Sequence, residues 1–127
     1  MRKHLAIFSD EAVKQILAGE KIVETRFSQK KIPPFGEVSV GDFVYVKPSG
    51  KEIVGQFRVE KVISIEGVDA TDLKEIEAKY GSPGQKFFES HKGAKYGTII
   101  FIGNFEQFIT SPVKIKKSDL RGWVVLD

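Results

Sequence analysis

Three residues near the N-terminus have the types and spacing for chemistry: Lys21, Glu24 and Arg26 in the stretch "GEKIVETRF", residues 19 to 27. Read as a β-strand from Lys21 to Phe27, the stretch puts Ile22, Glu24 and Arg26 on one face. Lys21, Val23, Thr25 and Phe27 then lie on the other. Glu24 and Arg26 point the same way about 7 Å apart, which suits a shared ligand or a carboxylate–guanidinium pair. Lys21 stands where a helix hands over to the strand, so its long side chain can turn toward the same cleft. In a binding site, Arg26 and Lys21 would hold a phosphate or carbonyl, and Glu24 would accept from a base amino group or orient Arg26. In a hydrolase, Glu24 would be the general base and the two cations would stabilise developing negative charge. Against both stands a solvated strand whose charges merely pair, worth a fraction of a kcal/mol.

Further cations gather in "QKK" (Lys30, Lys31), at Lys47 and Lys51, in "HKGAK" (with Lys95), and in "KIKK" with Arg121. Lysines beside aromatic rings such as Tyr45, Tyr96 or Trp123 are how single-stranded nucleic acid is held. Charge tracks the phosphates while rings stack on bases. Lys30, Lys31, Lys47, Lys95 and Tyr96 therefore join Lys21, Glu24 and Arg26 as candidate nucleic-acid contacts. For "KIKK" a protective role on an edge strand is the better reading, and Trp123 in "GWVVL" reads as core.

Other chemistries fall away. There is no cysteine and there are two histidines, His4 and His91, so thiolate chemistry and a dedicated metal site are not expected. "GSPGQK" lacks the spacing of a phosphate loop, and no elbow surrounds a serine. No cofactor is expected. Net charge is +3, compatible with a phosphate-bearing partner without requiring one. No apolar run approaches the roughly 20 residues of a membrane span, and the N-terminus makes a poor signal peptide. The expectation is a cytoplasmic protein, monomeric or weakly dimeric, with no membrane or metal partner.

The elements that position these residues can be read in order. "HLAIF" is a first strand, and "SDEAVKQILAG" a helix capped by Ser9 or Asp10 with Val13, Ile16 and Leu17 on one stripe and Gly19 at its end. A Pro- and Gly-marked loop runs to the "VGD" turn, followed by the strand "FVYVK". "EIVGQFRVEKVISI" alternates with Ile53, Phe57, Val59, Ile63 and Ile65 in one parity, and Gly55 marks a bend or bulge. A helix opens at Asp69 or Thr71 and carries Leu73 and Ile76, and a short helical piece holds Phe87 and Phe88. "TIIFIGNFEQF" (98 to 108) is apolar on both parities, as a central strand is, and "PVKI" and "GWVVL" close the chain. With 127 residues and no regular βα alternation, one domain over residues 1–127 is expected. It is α+β, a small, curved, mostly antiparallel sheet or barrel with packed helices.

The helix ending in "LAGEK", then "IVETR", "VGDFVYVKPSG", the long "IVGQFRVEKV" and the closing "LRGWVVL" together resemble the ASCH domain of the PUA-like superfamily. The most specific part is the Lys-x-x-Glu-x-Arg run at Lys21, Glu24 and Arg26, with the Gly41–Asp42 turn. The resemblance implies a PUA-like β-barrel whose cleft is lined by the charged strand, and a role in binding RNA or a nucleotide-like ligand. Some relatives are enzymes. One branch resembles amidohydrolases that deacetylate acetylcytidine with a lysine, a threonine three residues later and a distant glutamate. Lys21 matches that lysine, and Glu24 stands at the threonine position. Another branch is reported as ribonucleases. The resemblance therefore leaves two functions: an RNA- or nucleotide-binding module, or a metal-independent hydrolase of RNA or an acylated nucleoside with Lys21 and Glu24 catalytic.

Overall fold

The structure is a computed structural model and describes residues 1–80, 93–110 and 121–126. Among these the order is β1 (Lys3–Phe8), α1 (Asp10–Leu17), β2 (Val23–Ser28), β3 (Phe43–Pro48), β4 (Gly55–Glu66), α2 (Ala70–Tyr80), β5 (Tyr96–Gln107) and β6 (Trp123–Val125). The expected strand at "PVKI", the helical piece at Phe87 and Phe88, and His91 lie outside the described residues. No helix among the described residues is long and apolar enough to cross a membrane.

All six strands form one sheet in the order β2-β5-β4-β3-β1-β6. Every pairing is antiparallel except β1 with β3. The sheet is a curled half-barrel, and its inner face holds the main core. Ala6, Phe8, Val44, Val46, Phe57, Val59, Ile100 and Trp123 pack there, with Val13 and Ile16 of α1 set into them. A smaller cluster of Leu5, Tyr45 and Ile53 lies on the opposite face. β5 pairs with β2 on one side and β4 on the other, which places it inside the sheet.

α1 begins where Ser9 accepts a hydrogen bond from the Ala12 N–H at 3.1 Å and ends at Gly19, whose φ of 74° terminates the turn. The N–H groups of Glu20 and Lys21 then both donate to the Gln15 carbonyl, at 2.8 and 3.1 Å. This ties Lys21 to the helix end, so the strand starts at Val23 rather than Lys21. Ile22, expected to share the charged face, precedes the strand and is exposed. In α2, Asp69 and Asp72 accept from each other's backbone N–H (2.8 and 3.1 Å), a reciprocal cap. Leu73 and Ile76 are buried as expected.

The long β4 strand departs from simple alternation. Its register against β5 shifts between Gln56 and Arg58 and again between Val59 and Lys61. The second shift adds a residue to β4, so Val62, not Ile63, stands opposite core Ile100. The expected single parity through Ile63 and Ile65 therefore holds only to Val59. Gly55 sits at the start of this irregular stretch. A Cβ there would lie 2.5 Å from the Glu106 carbonyl oxygen and 2.6 Å from the Phe105 ring, so only glycine fits.

Candidate ligand cleft at the sheet seam

The curl leaves β2 and β6 as the two edges of the sheet, and Arg26 joins them. Its Nη1 donates to the Gly122 carbonyl at 3.2 Å, one residue before β6. Its Nη2 donates to the Ile7 carbonyl of β1 at 2.8 Å. Ile7 and Gly122 are themselves bonded, N–H to carbonyl, at 2.9 Å. The guanidinium lies 4.9 Å from the centre of the Phe8 ring and 5.5 Å from that of Trp123. A planar fork of donors with a delocalised charge suits this place, where it meets two carbonyls and two aromatic faces at once.

Glu24 and Arg26 point inward because they pair with Ile100 and Thr98 of β5, whose Ile100 belongs to the core. Glu24 Oε2 accepts from Arg26 Nε at 3.1 Å and lies 3.0 Å from Nη2. Its Oε1 accepts from the Thr25 N–H at 3.2 Å and pairs with Lys21 Nζ at 3.3 Å. Two hydrogen bonds and two ion pairs thus converge on one carboxylate. The Glu24 side chain is 12% exposed, and those of Lys21 and Arg26 are 21% exposed.

Behind Trp123 lies a second polar cluster, which sequence reasoning missed. The indole N–H donates to His4 Nδ1 at 3.1 Å. An indole can only donate, so Nδ1 accepts and Nε2 carries the proton that it gives to Asp42 Oδ2 at 2.8 Å. Asp42 also accepts from the backbone N–H of Ser39 and of Arg2, both at 3.0 Å. Burial pushes the Asp42 carboxyl up, but the hydrogen bonds from His4, Arg2 and Ser39 outweigh it and hold it below the usual carboxylate value. The available signals were a histidine inside an apolar strand and the Gly41–Asp42 turn.

Beside Arg26, between the two edges, opens a cleft of about 620 Å³. Trp123, Phe27, Ile32, Phe35 and the cis-linked Pro33–Pro34 pair form apolar walls, while Arg26, Ser28, Thr98 and Arg121 supply polar groups. The Thr98 hydroxyl is buried and has no hydrogen-bond partner among the described residues.

The expected site residues divide. Lys21, Glu24 and Arg26 form one cluster, of which only Arg26 lines this cleft. Lys30, Lys31, Lys95 and Tyr96 gather at the Ser28 end of β2. Ser28 donates its hydroxyl to the Lys30 carbonyl at 2.7 Å and accepts the Lys95 N–H at 2.9 Å. Lys31 Nζ sits 5.7 Å over the Tyr96 ring and 3.3 Å from Glu66, and Tyr96 stacks obliquely on Phe35, centroids 5.0 Å apart. Lys47 shares the parity of Tyr45 on β3, the face opposite the inward cluster, so it is not brought to Arg26. Tyr45 and Trp123 are buried rather than exposed for stacking, at 7% and 4%.

Comparison with known proteins gives the fold a name. No family model matches the sequence, and no curated protein does. Solved structures do. The chain superposes with a TM-score of 0.72 on a tyrosine-to-phenylalanine mutant of ZmASCH from Zymomonas mobilis, at 11% identity, covering 100% of this chain and 91% of that one. A serine-to-alanine mutant of the same protein gives 0.70 at 14% identity, covering 99% and 89%. A further structure, of ASCH from Zymomonas mobilis, gives 0.62 at 14% identity, covering 84% and 70%. The fold of this chain is the α+β fold of these ASCH structures.

Proposed function

We propose that the chain binds single-stranded RNA or a nucleotide-like ligand across the seam between β2 and β6. The observation that carries this reading is the cleft itself. Its walls are apolar and partly aromatic, Arg26 stands at its floor, and Lys30, Lys31 and Lys95 gather at the Ser28 end beside Tyr96. Lysines at a rim and rings within suit a strand whose phosphates stay in water and whose bases leave it. The ASCH fold is consistent with this role and does not by itself assign it.

The hydrolytic alternative draws no such support. A general base needs a lone pair aimed at the attacking water, whereas Glu24 accepts hydrogen bonds from Arg26 Nε and the Thr25 N–H and is ion-paired to both Lys21 and Arg26. Glu24 is better matched to holding Arg26 in place.

Fluorescence anisotropy with a labelled oligouridylate tests the binding reading. The chain should bind at about 50 mM salt and weaken steeply toward about 200 mM. Replacing Lys30, Lys31 and Lys95 together by Gln should lower the log–log salt slope by about 2, at roughly 0.7 per lost phosphate contact on a single strand. No binding at low salt, or binding indifferent to salt, counts against it.

A further inference from the structure

Among the described residues, Thr98 carries a buried side-chain polar atom that the fold leaves without a hydrogen-bond partner. It is 1% exposed, faces Arg26 across the β2–β5 pairing, and lines the cleft. Its hydroxyl is closed to water and bonds to nothing among the described residues. Buried hydroxyls are nearly always partnered, so one that is not asks for a reason. Valine has the same shape and would remove the penalty. Threonine also populates more than one χ1 well, so a single rotation exchanges its methyl and hydroxyl groups. The hydroxyl can thus turn toward a ligand that offers it a partner.

The charge balance at the floor says what kind of ligand. The carboxylate of Glu24 stands directly against Arg26 and is shared with Lys21. Of the five N–H groups of the guanidinium, three donate hydrogen bonds, one each to Glu24 Oε2 and the Ile7 and Gly122 carbonyls, and Nη2 also lies 3.0 Å from Glu24 Oε2. One N–H on Nη1 is left. A phosphate brought there would meet, beside the cation, the Glu24 carboxylate and two carbonyl oxygens. An uncharged flat ring with a polar edge meets apolar walls, the Nη1 N–H and the Thr98 hydroxyl, with Ser28 and Arg121 also in the lining.

We infer that the cleft takes an uncharged nucleobase edge-on. The Thr98 hydroxyl and the remaining Arg26 Nη1 N–H bond to its polar edge, and the phosphates stay with Lys30, Lys31 and Lys95 outside. This rests on the nucleic-acid reading above and assigns Thr98 as the residue that selects for the base. Bringing a partner to the orphan hydroxyl converts a cost of the free protein into affinity for the ligand.

The test is titration calorimetry of the full chain with uridine, cytidine, uridine monophosphate and inorganic phosphate, on the wild type and on Thr98→Val and Thr98→Ser. Urea midpoints are measured in parallel. The expected result is binding of at least one nucleoside, with the monophosphate within about threefold of its nucleoside and no heat from phosphate alone. Thr98→Val should unfold at higher urea yet bind the nucleoside about tenfold more weakly, the loss expected for one hydrogen bond. Thr98→Ser should keep the wild-type affinity. Nucleoside affinity unchanged in Thr98→Val, phosphate binding as tightly as the monophosphate, or no nucleoside binding at all would overturn the proposal. If oligouridylate still binds in those cases, only the role of Thr98 fails. If it does not bind either, the nucleic-acid reading fails with it.

Discussion

Asp42 and Glu24 are both carboxylates that organise the surroundings of Trp123, and they do so on different terms. Asp42 works behind the indole through His4, and both are closed to solvent. Glu24 works in front of it through Arg26, where the side chains keep between a tenth and a quarter of their surface. The three acceptor bonds of Asp42 tie together the start of β1, the Ser39 turn and, via His4, β6. Those of Glu24 stay local, at the Thr25 N–H and Arg26, and Arg26 then reaches both sheet edges and the cleft. The difference teaches that the same chemistry, a carboxylate orienting a planar nitrogen group, builds the frame when it is sealed. When its far end stays open, it furnishes a site.

The largest effect should come from the sealed cluster. Asp42→Ala strands the His4 N–H and two backbone N–H groups, each costing about 1 kcal/mol or more, so a loss of about 3 kcal/mol is expected in urea unfolding. A loss below about 1 kcal/mol would break the contrast. The same carboxyl sets an acid limit. Its folded-state pKa lies below the ordinary 3.8, so its contribution is complete above that value and disappears as pH falls through the lower folded one. The wild type should lose stability across this window more steeply than Asp42→Asn, which has no carboxylate to protonate.

Arg26→Lys comes next. It keeps the charge but loses the fork that spans Glu24, Ile7 and Gly122, at a cost of about 1–2 kcal/mol. Unlike Asp42→Ala, it should also weaken oligonucleotide binding when measured under conditions where the variant is fully folded. The smallest effect belongs to Lys21→Ala. The Lys21–Glu24 pair is partly exposed, and its removal should change stability by about 0.5 kcal/mol or less.

How much of this was legible from the sequence depends on how far apart the partners lie. Lys21, Glu24 and Arg26 are neighbours in the chain, and strand alternation already put Glu24 beside Arg26. What alternation does not show is that Arg26 ends on Gly122, 96 residues away, because closing the curl is a property of the whole sheet. His4, Asp42 and Trp123 are each ordinary in their own segments, and their bonds span 38 and 119 residues. The bulge between Val59 and Lys61 erased the parity of Ile63 and Ile65 for the same reason: register belongs to a pair of strands. Lys47 looked like one more cation for a rim, but its parity sends it to the other face of the sheet. Thr98 gave no signal, since an orphan hydroxyl exists only once its neighbours are in place.

The central claim is that the Arg26 side of Trp123 borders a ligand site and its His4 side does not. The chain has a single tryptophan, so its indole N–H gives one unambiguous signal in a nitrogen–proton NMR spectrum. Titration with a short oligouridylate should move that signal together with the amides of Arg26, Phe27, Ser28, Phe35 and Thr98, and leave those of Tyr45 and Lys47 in place. Shifts centred on Tyr45 and Lys47, with the indole signal unmoved, would contradict the account.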